Sequence, residues 1–261
     1  MGRTVTPVAA PAAAWRVLGA SVRGTSHARN ELPCQDAHAW RRLPGGAVAL
    51  AVADGAGSAA HAEAGARAAA KAAVDSLVSS APAVVDGNWT AALDHAMGAA
   101  LVAVQDEAKA RAVEMRELNT TLIAAVVTAD SVTAAQVGDG AVIVSAAGGE
   151  MRAITAPTSG EFANETVFLT TPGAVDAAQR SAWRGSARHL AIFTDGLQGL
   201  ALKHPERTPH EPFFAPLFAF AAEARDPRDA EDQLSAFLAG PRVTARSDDD
   251  LTLVLVTRDH G

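Results

Sequence analysis

Four apolar runs in this chain each border an aspartate, and that pattern constrains the fold more than any other feature. Asp54 follows GGAVALAVA, Asp139 follows VTAAQVG, Asp195 follows RHLAIFT, and Asp249 stands just ahead of LTLVLV. The run AVALAVA (47–53), near-continuously apolar, reads as a strand. An acid at the end of such a strand packs poorly; beside glycine or a second acid it is well placed to hold an ion. Taken singly, each Asp-Gly pair is also an ordinary turn, and Asp248, Asp249 and Asp250 an ordinary solvated run. Jointly they favour a fold that gathers several strand ends around one oxygen-ligand metal site. Three successive carboxylates ahead of a buried strand repel one another unless a cation compensates them.

The order of the elements narrows the architecture. Strands are expected at 15–22, 37–43 and 47–53, followed by long helices over 61–79 and 89–117, with Asn88 as a cap for the second. A strand-rich block comes next, at 120–129, 131–138, 141–148 and 151–155, on the short turns of an antiparallel meander. Further strands are expected at 166–170, 189–194 and 251–258, with a proline-interrupted helix in EPFFAPLFAFAAEA and a better one over 229–239. The segment 203–212 is the most exposed-looking linker, too short to divide the chain. We therefore expect residues 1–14 as a flexible extension and 15–261 as one domain. Its class is α+β, with antiparallel sheets covered by helices and no regular βαβ alternation.

Composition excludes several functions. The hydrophobic content of 49% supports a large core, and the net charge of −7 gives no footprint for nucleic acid or an anionic membrane. No apolar run is long enough to span a bilayer. Cys34 is alone, which suits a reducing compartment, so a cytoplasmic location is expected. Dinucleotide, P-loop, zincin and EF-hand motifs are missing from the sequence. Carboxylate and carbonyl donors suit Mg or Mn, whereas zinc recruits His and Cys. A carboxylate between two such ions is the natural bridge. Asp54 is the first choice, with the Gly55 carbonyl beside it.

Six segments carry a resemblance to a known family: CQDAHAW (34–40), VALAVADGAGS (48–58), NTTLIAAVV (119–127), AAQVGDGAVIV (134–144), AIFTDGLQGL (191–200) and DDDLTLVLV (248–256). In this order they resemble the metal-dependent protein serine/threonine phosphatases of type 2C, in a divergent bacterial branch, across roughly residues 18–257. The resemblance implies a four-layer sandwich: two antiparallel sheets face to face, with a helix pair on each outer side. It implies that Asp54 is shared by two Mn or Mg ions, with Gly55 as carbonyl ligand and Asp195 and Asp249 on the first ion. Asp139, with Asp195, resembles the acids that hold a weaker third ion, and Asp36 the acid at or just behind the metals. It further implies that a metal-activated water attacks phosphorus directly, on phosphorylated protein substrates opposed by a Ser/Thr kinase, in an enzyme taken to be a monomer.

The departures concern the substrate phosphate. The family's phosphate-gripping arginine is replaced by Glu31, leaving His27 and Arg29 as the phosphate-contact candidates. Gln35 stands where glutamate is common, Ala56 where a histidine often follows, and Asp250 where asparagine is common; Gly140 and Ala141 occupy the place of another arginine. His61 is within reach of the site from the helix start, or is simply a helix-start residue. Cys34 beside acids has no nucleophile's environment and is expected to be structural. Glu161, Asn164 and Glu165 fall in the region of the family's substrate flap. A catalytically weak phosphoprotein-binding module of the same fold is the alternative function, and hydrolysis of a small phosphoester a more distant one.

Overall fold

The computed structural model describes residues 15–81, 84, 88–157 and 166–258. The expected extension 1–14 and the flap residues Glu161, Asn164 and Glu165 lie outside them. The chain runs β1 (Trp15–Val22), α1 (Thr25–Arg29), β2 (Asp36–Arg42), β3 (Val48–Asp54), α2 (Ala62–Ser80), α3 (Thr90–Arg111), β4 (Leu122–Val127), β5 (Ser131–Val137), β6 (Ala141–Ala146) and β7 (Met151–Thr155). It continues through β8 (Gln179–Arg184), β9 (Ala187–Phe193), α4 (Gln198–Ala201), β10 (Leu202–Lys203), β11 (Thr208–Pro209), α5 (Glu211–Glu223), α6 (Pro227–Leu238), α7 (Pro241–Thr244) and β12 (Leu251–Arg258).

Side-chain alternation sorts these elements into layers. In β3, Val48, Leu50 and Val52 enter a core shared with Ile123, Val142, Ile192 and Val254. Ala49, Ala51 and Ala53 enter another, beneath α2 and α3. A strand with two buried faces has no polar side, which is why its sequence is an unbroken apolar run. The strands form two antiparallel five-stranded sheets, β1-β12-β9-β6-β7 and β2-β3-β4-β5-β8, with β10 and β11 as a separate ribbon. Helices α2 and α3 cover the second sheet through small residues such as Ala66, Ala69, Ala73 and Ala96, which let backbones come close. The first sheet is covered by α5 and α6, where Phe214, Leu217, Phe218 and Leu234 meet Leu18, Phe193 and Leu255. The expected α+β four-layer sandwich is therefore the observed one.

Several local expectations are corrected. The second long helix stops at Arg111, not 117, because Ala112 turns left-handed (φ 55°, ψ 42°) and a separate short turn follows at Met115–Leu118. The cap position is Trp89, not the expected Asn88, which stands one residue earlier and accepts from the Thr90 N–H through Oδ1 at 3.2 Å. The apolar stretch 166–170 is not a strand: Leu169 is buried in the layer under α2 and α3, its N–H donating to the Thr120 carbonyl at 2.8 Å. The sheet position is filled instead by β8, which pairs with β5. Helix α5 continues through Pro216, and the 203–212 linker overlaps the β10–β11 ribbon, which starts at Leu202.

Candidate metal centre

Strand register delivers the acids to one end of the sandwich. Asp36 lies directly opposite Asp54 across β2 and β3. Ala141 and Leu253 both lie opposite Phe193, so the segments carrying Asp139, Asp195 and Asp249 leave the other sheet together. The backbone around Asp54 is fixed on both sides. Its N–H donates to Thr121 Oγ1 at 3.0 Å, and its carbonyl accepts from the Thr121 N–H at 2.7 Å and Thr120 Oγ1 at 2.9 Å. Gly55 donates to the Gln35 carbonyl at 3.1 Å, and a Cβ there would come within 2.7 Å of the Ala62 carbonyl oxygen. Only glycine lets the start of α2 lie against this turn.

The loop bearing Asp139 is held as firmly. Gly138 has φ +107°, and a Cβ there would sit 2.5 Å from Thr121. Gln136 Nε2 donates to the carbonyls of Gly138 at 3.1 Å and Gly140 at 2.7 Å, clamping the loop from within. Gln198 Nε2 donates to the Asp139 carbonyl at 2.8 Å, and Thr166 Oγ1 donates to its Oδ2 at 3.0 Å. Asp139 Oδ1 is buried and has no hydrogen-bond partner among the described residues.

Asp54, Asp139 and Asp195 each offer a carboxylate oxygen, all within 4.8 Å of one another. Two unit charges at that separation repel by roughly 3 kcal/mol at an effective dielectric near 20. Three such pairs approach the whole stability of an ordinary domain, about 5–15 kcal/mol. Such crowding is relieved by cations, or by protons on Asp54 and Asp195. Burial, then repulsion from Asp36, Asp195 and Asp249, drives the Asp54 carboxyl well above its ordinary range. Burial with Asp139 and Asp249 raises Asp195 to about 6. Burial raises Asp36 to about 7 against the opposing hydrogen bonds, including that from Thr194 Oγ1 at 2.7 Å. Burial also raises Asp249, which stands at the solvent rim outside the tight trio.

The three neighbouring acids of the last motif take three different roles. Asp248 is exposed and pairs with Arg29 at 3.2 Å, both side chains 68% exposed. Asp250 is 2% exposed and turns away into the fold. Its Oδ1 accepts from the Gly24 N–H at 2.6 Å, and its Oδ2 meets the Gln35 N–H at 2.5 Å and His27 Nδ1 at 2.8 Å. The expectation that this run is compensated by a cation is thus corrected for Asp250, whose charge is met by backbone N–H groups and a histidine. The sequence held no signal for this, since Gly24 and Asp250 are 226 residues apart. The supporting Thr121, Thr194 and Gln198 were missed too, although Thr194 directly precedes Asp195 in its motif.

His61 flanks the first turn of α2 and lines a pocket of about 250 Å³ with Gln35, Gly57 and Glu63. Burial, then repulsion from Asp250 and Asp36, pushes the Cys34 thiol up to about 12, in keeping with a structural cysteine. Donors that are all oxygen, fixed at strand ends with one oxygen unpartnered among the described residues, fit hard divalent cations.

Comparison with known proteins agrees with that class of site. The protein phosphatase 2C family model matches residues 23–239. Serine/threonine-protein phosphatase 3 of Escherichia coli (strain K12) is 34% identical over 251 residues, 92% of this chain and 97% of that protein. Among solved structures, the serine/threonine phosphatase Stp1 from Staphylococcus aureus aligns over 100% of both chains with a TM-score of 0.63 at 17% identity. The catalytic domain of serine/threonine protein phosphatase PstP, solved in complex with two manganese ions, covers 94% of this chain and 99% of its own, with a TM-score of 0.57 at 18% identity. The chain belongs to the protein phosphatase 2C family.

Proposed function

We infer that the protein removes phosphate from phosphoserine and phosphothreonine in proteins, using two divalent cations, Mn or Mg. The observation that carries this reading is the trio Asp54, Asp139 and Asp195, recessed, crowded and holding a buried oxygen that has no partner among the described residues, in a chain of this family. The E. coli relative named as a serine/threonine phosphatase and the manganese-bound neighbour support substrate class and metal. When bound, the ions lower the pKa of a water and offset charge on the phosphoryl oxygens.

The chain's own residues have distinct parts. Asp54, held by Thr120 and Thr121, would be the ligand shared by the two ions. The Gly55 carbonyl and the carboxylates of Asp195 and Asp249 would complete the pair of sites, and Asp139 with Asp195 would hold a weaker third ion. Asp36, opposite Asp54 and braced by Thr194, orients that carboxylate from behind. The Cys34 thiol, pushed up to about 12, is no nucleophile, in keeping with direct attack by water. Among the described residues no helix is long and apolar enough to cross a membrane. A cytoplasmic location, a monomeric state, one catalytic unit over 15–261 and a Ser/Thr kinase acting on the same substrates complete the proposal.

The test is phosphate release from a phosphothreonine peptide and from a panel of small phosphoesters, in Mn, in Mg and in chelator. Metal-dependent turnover highest on the peptide supports the reading. Tight peptide binding without turnover supports the binding-module alternative.

A further inference from the structure

We infer that His27 takes the place of the absent phosphate-gripping arginine, and that Asp250 is the positioning residue that aims it; this rests on the phosphatase reading above. His27 lies on α1, its side chain 12% exposed, with Nδ1 2.8 Å from Asp250 Oδ2. That oxygen already accepts the Gln35 N–H, so it is an acceptor toward His27 as well, and Nδ1 carries the proton. Nε2 is the ring nitrogen left for a ligand. It lies 4.0 Å from where a Cβ would stand on Gly57, three residues beyond Asp54. A phosphate oxygen at Nε2 would complete a chain from Asp250 through the ring to the phosphate, with a proton between Nε2 and that oxygen.

The same network explains two departures together. Asparagine at position 250 would offer one acceptor oxygen, whereas the network uses two: Oδ1 for Gly24, Oδ2 for Gln35 and His27. Its amide group would face the Gln35 N–H and the Nδ1 proton, donor against donor. The acid at 250 and the histidine at 27 therefore belong to one device. Arg29, the other candidate, is 68% exposed and engaged by Asp248 at the surface.

The test is steady-state hydrolysis of a phosphothreonine peptide in Mn by wild type, His27→Asn, Asp250→Asn, the double variant and Arg29→Ala. Loss of a hydrogen bond to a charged group predicts that His27→Asn raises KM about tenfold, with a smaller fall in kcat. Asp250→Asn should move KM in the same direction, and the double variant should be no worse than the more affected single one. In His27→Asn the Mn half-saturation should move far less than KM. Independently of turnover, inorganic phosphate should shift the His27 Nε2 resonance in long-range proton–nitrogen spectra of the wild type loaded with diamagnetic Mg. An unchanged KM in His27→Asn, additive effects in the double variant, an unmoved resonance, or a KM rise in Arg29→Ala instead would overturn the inference. Should Asp250→Asn not fold, His27→Asn and the spectrum decide it. A wild type without turnover whose His27 still responds to phosphate would instead unseat the phosphatase reading and leave the phosphate site standing.

Discussion

Asp250 and the trio of Asp54, Asp139 and Asp195 sit at the same end of one sandwich, and their charge is met in opposite ways. Asp250 is 2% exposed, and both its oxygens are taken by donors from the chain itself. The trio has no such closure. Its oxygens crowd within 4.8 Å, one oxygen of Asp139 has no partner among the described residues, and burial, then the charges of neighbouring acids, push Asp54 and Asp195 upward. A satisfied buried acid is part of the fold, whereas an unsatisfied cluster is held in place by the fold for something that binds.

The sharpest way to break this contrast is to remove one acid of each kind. Asp195→Asn should reduce Mn-dependent turnover more than about a hundredfold, beyond the usual effect of groups behind the ligands. In metal-free protein it should raise the melting temperature by a few degrees, the scale of about 1 kcal/mol in a chain this size. Asp250→Asn should lower the melting temperature with or without Mn, by the 1–3 kcal/mol or so of an unsatisfied buried group. Melting temperatures that moved in the same direction in both variants would erase the distinction.

The pH dependence of the metal-free protein gives a second, smaller effect. From an ordinary value of 3.8, Asp195 is raised to about 6 and Asp36 to about 7. Between those limits the native chain holds protons that the unfolded chain has released. Stability therefore falls as pH rises from about 4 to about 7. Calorimetry in chelator should show a lower melting temperature near pH 7 than near pH 5, and Mn should abolish or reverse the trend. The smallest effect belongs to the rim: Arg29→Ala removes an exposed ion pair and should change stability by less than about 1 kcal/mol, measured by denaturant titration.

Much of the sandwich was legible because strands buried on both faces leave unbroken apolar runs, and Asp54, Asp139 and Asp195 because each ends or follows one. What was illegible has physical reasons. Strand β8 carries QRSAWR, and its side chains alternate between half-buried and exposed as the edge of its sheet. The stretch 166–170 is apolar because Leu169 packs beneath the helices, not because it pairs in a sheet. Helix α1 has five residues, too few to show a period. Asp250 looked like one acid of a solvated run. Its role depends on Gly24, Gln35 and His27, brought to it only by the closed fold.

The measurement that bears most directly on the account is a calorimetric titration of Mn into metal-free wild type and Asp54→Asn, with phosphate release from a phosphothreonine peptide followed on the same samples. The account predicts at least two ions bound by the wild type, with Asp54→Asn losing both the tight binding and the turnover. Full turnover in Asp54→Asn, or a wild type that hydrolyses the peptide equally well in chelator, would contradict it.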